Sequence, residues 1–378
     1  MPPAAQSPTP GALGFRMPAE WEPHAATWIG WPHNAADWPG KFPPIPWVYA
    51  EIVRRLAPGE RVRVLVDSPA RQAAARRVLE KVGVGGERID FFRFPTNRGW
   101  TRDFGPIFVK RPGPRPETAI ARFHFNGWAK YRDWKKDDRI PDLVAKQLRL
   151  PRIEPTRPVI LEGGSIDVNG VGTLLTTEEC LLDTKTQVRN PGLARADLEG
   201  VLRDYLGATN VLWLGRGIAG DDTHGHVDDL CRFVSRRTIV LCRETDPKDA
   251  NYRALEENRE RLEGMRLEDG SKPEVAFLPM PEPLCFEGRR LPASYANFYI
   301  ANAGVLVPTF NDPHDRAALG LLAELIRDRP VIGVHAVIGF LHLHRVALRQ
   351  ADVVDPRPIV HEAIRARDER VVIHPPPD

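Results

Sequence analysis

What most constrains this chain is the brevity of its apolar runs. V-R-V-L-V (62–66), P-I-F-V-K (106–110), G-T-L-L-T (172–176), N-V-L-W-L (210–214), T-I-V-L-C (238–242), V-A-F-L-P (275–279), G-V-L-V-P (304–308) and R-V-V-I-H (370–374) are short and rich in β-branched residues. Each reads as a strand. Apolar residues at helical spacing lie between them, at 47–56, 70–82, 193–206 and 315–326. Ser68 suits the N-cap of the second helix and Pro69 its first position. Asp315 suits a cap or first-turn role in the last. Short strands mixed with helices specify an α/β fold. No G-x-G-x-x-G or G-x-x-x-x-G-K-[ST] loop is present, so nucleotide-binding α/β folds lose support. No long polar linker divides residues 13–350, which read as a single domain. Residues 1–12 are rich in Pro, Ala and Ser and are expected to be flexible.

Charge and cysteine content narrow the function classes. The 378 residues carry 53 basic and 50 acidic side chains, a net charge of +3. That balance gives no case for a nucleic-acid partner. A small cationic substrate stays open, because local carboxylates decide that. No apolar run approaches the ~20 residues of a membrane span. The first residues lack a basic start followed by an apolar stretch, so the cytoplasm is the expected compartment. Cys180, Cys231, Cys242 and Cys285 are the four cysteines. Their scarcity argues against a disulfide framework, and without a C-x-x-C pair a structural zinc site is not expected.

The densest polar segment is G-D-D-T-H-G-H-V-D-D (220–229). His226 and Asp228 are two residues apart, so in a strand they share a face. A histidine beside a carboxylate can serve as a positioned acid and base. The same residues can hold a divalent cation, or form a solvated loop. In W-T-R-D-F-G-P (100–106), Asp103 is expected at a strand end or loop. It either pairs with Arg102 or grips a planar cation beneath a Trp100 wall. In L-E-G-G-S-I (161–166), Glu162 reads as a buried carboxylate where a ligand approaches the backbone. The alternative is a turn in which Gly163 and Gly164 supply backbone freedom. Asn297 and Asn302 flank an apolar strand and read as structural amides.

Together these motifs are specific. M-P-A-E-W-E-P-H-A-A-T-W-I-G-W-P (17–32), W-T-R-D-F-G-P, F-N-G-W-A-K-Y (125–131), L-E-G-G-S-I, T-T-E-E-C-L-L (176–182), R-N-P (189–191), G-D-D-T-H-G-H-V-D-D, Y-A-N-F (295–298) and P-T-F-N-D-P (308–313) resemble the agmatine deiminase and bacterial peptidyl-arginine deiminase family. The resemblance runs from about Met17 to Pro330. It implies the pentein fold, an α/β propeller of five strand–strand–helix–strand units around a central site. It implies hydrolysis of a guanidinium to a ureido group and ammonia, with agmatine giving N-carbamoylputrescine and no cofactor. Asp103 and Asp228 would hold the guanidinium nitrogens, and a cysteine thiolate would attack the carbon. His226 would protonate the leaving ammonia and then activate water. Trp100, Glu162, Asp222 and Asn297 would contact or flank the substrate. The role of His224 stays open, as does assembly into a homo-oligomer.

The chain departs from the family pattern at one place. The family ends on a strand resembling G-x-G-T-L-H-C, whose cysteine is the nucleophile. Here the segment reads V-I-G-F-L-H-L-H-R-V-A-L-R-Q (337–350). Aligning Leu343 and His344 with the Leu-His pair puts Arg345 at the cysteine position, and a shift of two puts Leu343 there. An arginine stays protonated and is no nucleophile. Residues 351–378 then read as an atypical extension, from a frame slip or from divergence. Two alternatives stand beside the hydrolase. One is an inactive guanidine- or amine-binding pseudoenzyme, and the other a metal-dependent hydrolase built on His224, His226 and Asp228.

Overall fold

The computed structural model describes residues 8–336. The first sheet is built from β1 (Ala26–Gly30), α1 (Ile45–Leu56), β2 (Arg61–Leu65), α2 (Pro69–Lys81) and β3 (Ile89–Phe92). A short helix α3 (Thr101–Phe104) leads into β4 (Ile107–Arg111), β5 (Glu117–Ala121), α4 (Ile140–Leu148) and β6 (Arg152–Ile153). The third set is β7 (Asp167–Val168), β8 (Thr173–Thr177), α5 (Glu178–Leu181), α6 (Arg195–Leu206) and β9 (Asn210–Leu214). Next come β10 (Cys231–Phe233), β11 (Thr238–Arg243), α7 (Tyr252–Gly264) and β12 (Glu274–Pro279). A hairpin of β13 (Cys285–Phe286) and β14 (Arg289–Arg290) precedes β15 (Tyr299–Ile300), β16 (Val305–Thr309), α8 (Asp315–Leu325) and β17 (Val331–His335).

Each set forms its own three-stranded sheet. In four of them the first two strands are antiparallel and the third returns parallel after a helix. That is the strand–strand–helix–strand order. The first sheet departs from it. Among the described residues its strands are all parallel, each joined to the next by a helix.

Local chemistry explains the elements. Ser68 caps α2 by accepting from Arg71 N, with Pro69 in the first turn. Asp315 accepts from Phe310 N at 3.0 Å and from the Tyr295 hydroxyl at 2.8 Å, which fixes the start of α8. α1 buries Ile45, Tyr49, Ile52, Val53 and Leu56 on one face, each side chain contributing about 1.5–3 kcal/mol. Sequence periodicity missed α4 and α7. α7 buries only Leu255, Asn258 and Leu262, and its outer face is laced with Arg–Glu pairs such as Arg259–Glu263. The flexible start also needs correcting. Within the segment read as mobile, Gly11 N donates to Asp204 O at 2.7 Å, and just after it Phe15 N donates to Pro10 O at 2.9 Å. R-V-V-I-H and residues 337–350 lie outside the described residues. Among the described residues, no helix is long and apolar enough to cross a membrane.

Candidate active site

The chemistry-bearing residues sit at equivalent points of successive sheets. Asp103 lies on α3, just before β4, and Glu162 precedes the 3-10 turn Gly163–Ser165 that leads to β7. His226 and Asp228 flank and enter the 3-10 turn Val227–Asp229 before β10, and Asn297 stands just before β15. Each is thus carried into the centre by the connection that enters a sheet. Two sequence expectations change here. Asp103 is on a helical turn, and His226 and Asp228 share a 3-10 turn rather than a strand face.

These connections meet. His226 Nδ1 is 3.7 Å from Asp103 Oδ1 and 3.9 Å from Asp228 Oδ1, while Nε2 is 4.0 Å from Glu162 Oε2. All four side chains are 0% exposed. Asp103 accepts from Trp128 Nε1 at 3.0 Å and from Gly164 N at 3.2 Å. Gly164 is glycine because of space. A Cβ there would stand 2.5 Å from His226 Nδ1 and 2.6 Å from Asp103 Oδ1. Neither Gly163 nor Gly164 has positive φ, so the backbone-freedom reading is replaced by close approach of side chains. Trp128 and Ala129, with φ of 58° and 54°, follow Gly127 in the left-handed region. Such backbone costs about 1–2 kcal/mol per non-glycine residue. It is held by Asn126, whose Oδ1 accepts from Ala129 N at 2.8 Å, and it aims the Trp128 N–H at Asp103.

Arg102 does not pair with its neighbour Asp103. Its Nε lies 3.1 Å from Asp228 Oδ2, and its Nη2 is 3.4 Å from Glu20 Oε2. Glu20 in turn meets Arg232 Nη2 at 2.9 Å, and Arg232 Nε lies 3.4 Å from Asp167 Oδ1. Ile300 N donates to Glu20 at 2.9 Å. One buried ionic network therefore ties the five three-stranded sheets together. Glu162 is paired separately, with Arg189 Nε at 3.1 Å.

Burial pushes the Asp103 carboxyl well above the usual carboxylate range, and the charges of Asp228 and Glu162 push it the same way. Burial also raises Asp228 to about 7, against the pull of Arg102 and Arg232. Asp229 and Asp221 are raised by burial too. Crowded carboxylates in low dielectric are unfavourable as anions, and a bound cation relieves them.

A cavity of about 510 Å3 opens above Asp103. Trp38, Trp100, Trp128 and Tyr131 form apolar walls, with Asp222 and Glu287 as exposed acidic lining and Asp37 and Arg98 as buried polar lining. Trp100 packs on Trp38 with ring centroids 5.0 Å apart. Of the predicted residues, Trp100, Asp103 and Asp222 line this cavity, and His226, Asp228 and Glu162 lie in a buried layer directly behind Asp103. Asn297 is farther back, its Nδ2 donating to Asp229 at 2.7 Å, and Asn302 bridges His24 and Gly59 as a structural amide. His224 turns away. It meets Asp183 at 3.0 Å and lines a different cavity with Glu178 and Glu179, so the metal set of His224, His226 and Asp228 is not assembled. A different potential donor set is present, Glu162, Cys180 and His226. Arg345 lies outside the described residues.

The sequence profile of the Porphyromonas-type peptidyl-arginine deiminases matches residues 16–342. The chain belongs to this family. Agmatine deiminase of Pseudomonas aeruginosa is 34% identical, with 90% of this chain and 97% of the relative covered. Agmatine deiminase of Medicago truncatula is 35% identical, covering 86% of this chain and 92% of the relative. The solved agmatine deiminase of Enterococcus faecalis superposes with a TM-score of 0.80 at 30% identity, over 89% of this chain and 96% of that one. The α/β architecture agrees with that neighbour.

Knowing the family does not remove what the motifs hid. Glu20, Arg102, Arg189 and Arg232 escaped the sequence reading as site residues, since each looks like an ordinary charge until its partner is brought near. Trp128 and Tyr131 lay inside F-N-G-W-A-K-Y, where the positive-φ run was not visible. Asp37 gave no motif, yet its carboxylate accepts from Gly99 N at 3.1 Å and Arg98 Nη1 at 2.9 Å. Burial raises it to about 6 against those partners.

Proposed function

We propose that this chain binds a guanidinium against Asp103, with Asp228 and Glu162 behind it, and hydrolyses it to a ureido group and ammonia. Agmatine is the preferred substrate and N-carbamoylputrescine the product. The observation that carries this reading is the meeting of three carboxylates and His226 beneath an aromatic-walled cavity. A guanidinium is planar and resonance-stabilised, so its carbon is a poor electrophile. Carboxylates on its nitrogens orient it by charge-assisted hydrogen bonds and fix the plane to be attacked. In the family pattern a cysteine thiolate, expected where Arg345 stands, attacks that carbon and makes it tetrahedral. His226, set 3.7 to 4.0 Å from these carboxylates, then gives a proton to the departing ammonia and takes one from the water that cleaves the thiouronium. In this reading the five sheets surround the site as a pentein propeller, residues 13–350 form one domain, and the chain acts in the cytoplasm.

A second reading has its own support. None of the four cysteines follows Cys285 in the sequence, and none lines the cavity. On that ground the chain is a guanidine or amine binder without turnover. Product analysis for N-carbamoylputrescine, on this protein beside an Arg345→Cys variant, separates the two. Turnover by the unaltered chain supports the hydrolase. Agmatine binding with turnover only in the variant supports the binder. Agmatine bound by neither sinks both readings.

A further inference from the structure

The buried layer contains one group that guanidine chemistry leaves unused, the Cys180 thiol. Cys180 sits on α5 with no exposure, and its Sγ, a Glu162 oxygen and a His226 nitrogen all lie within 4.8 Å of one another. Glu162 spends Oε1 on Arg189, and its Oε2 is buried without a hydrogen-bond partner, 4.0 Å from His226 Nε2. On the far side of the ring, Nδ1 faces Asp103 and Asp228 at 3.7 and 3.9 Å.

We propose that Glu162, Cys180 and His226 form a site for a borderline-soft divalent cation of the zinc class, and that its occupation blocks the guanidine chemistry of His226. The donor set is one sulfur, one imidazole nitrogen and one carboxylate oxygen, which suits zinc. The carboxylates facing Nδ1 are the outer partners that orient a metal-bound histidine. Donors on tetrahedral zinc lie about 3.5 Å apart, so separations of up to 4.8 Å close by up to about 1.3 Å, a movement on the scale of a side-chain adjustment. The Arg189 charge opposes the cation, and the charges of Asp103, Asp221 and Asp228 favour it. Binding forms a metal–sulfur bond and releases the thiol proton to solvent, so no oxidant or reductant is needed, and affinity rises with pH. The inhibitory half rests on the function proposed above, whereas the binding half does not.

Cobalt(II) titration of the full chain tests this, in a Cys285→Ser background that removes the exposed thiol. A thiolate-to-cobalt absorption band saturating at one equivalent is expected. Adding Cys180→Ser must abolish the band and weaken binding by about 10–100-fold. No band, or a band that survives Cys180→Ser, overturns the proposal. Should that variant fail to fold, X-ray absorption of the zinc-loaded Cys285→Ser protein must find a sulfur neighbour, and nitrogen and oxygen alone overturn it. Agmatine binding to metal-free protein is measured separately by calorimetry, so loss of that binding indicts the guanidine reading and leaves the metal site standing. Where agmatine does bind, zinc must raise its apparent Kd, and an unchanged Kd overturns the inhibitory half.

Discussion

Asp103 and Asp222 line the same cavity in different surroundings. Asp103 is 2% exposed, takes neutral N–H donors from Trp128 and Gly164, and shares its surroundings with two further carboxylates. Asp222 has a side chain 54% exposed and is met by the Lys130 ammonium and the Tyr131 hydroxyl. The floor therefore stores unfavourable charge that a cation can release, while the rim charge is already satisfied by water and a neighbour. Recognition strength belongs to the floor, and the rim tunes approach.

That contrast can be broken most forcefully through Arg102. Arg102→Met leaves Asp228 and Glu20 with Arg232 as their remaining cation, and a loss of about 3 kcal/mol in urea unfolding is expected. Gly164→Ala drives a methyl into His226 and Asp103. It should cost about 1–3 kcal/mol and remove agmatine binding measured by calorimetry. Asp103→Asn keeps the shape and removes the charge. Agmatine affinity should fall by about 1.5–3 kcal/mol, with the unfolding midpoint held or raised, since a buried carboxyl that resists ionisation is gone.

The pH dependence sharpens the same comparison. Asp228 titrates near 7 in the folded chain, above the ordinary carboxylate value of 3.8. Between about pH 4 and 7 the native state binds the extra proton, so this group's contribution to stability falls as pH rises through that window. A guanidinium requires the anion and expels the proton. Its affinity should rise by up to about tenfold per pH unit toward pH 7 and flatten above it, and a flat profile would remove Asp228 from the binding set. The smallest effect belongs to the rim. Asp222→Asn should change agmatine affinity by less than about 1 kcal/mol, and the difference should fade in high salt.

Sequence made the strand runs legible because β-branched residues crowd into stretches such as N-V-L-W-L, which is β9 to the residue. It made Asp103, Glu162, His226 and Asp228 legible as candidates because their motifs are dense and ordered. It failed where partners come from afar. Arg102 stands beside Asp103 in sequence and serves Asp228 in space, a choice set by how α3 enters its sheet. The two-residue strands β6, β7 and β15 carry too little periodicity to be read, and they exist because longer neighbours pair with them. Gly164 was noticed for the wrong property, since crowding by His226 is invisible until the chain has folded.

The Glu20 network has a consequence for assembly. Ile300 N reaches Glu20 across 280 residues, and Arg102 reaches Phe298 O across 196. Closing such spans is entropically slow and comes late in folding. Glu20 and Arg102 therefore lack their backbone partners Ile300 N and Phe298 O until the last sheet docks. A partly made chain carries every residue of the recognition chemistry and none of its geometry, so ligand occupancy reports completion of the fold as faithfully as any unfolding curve.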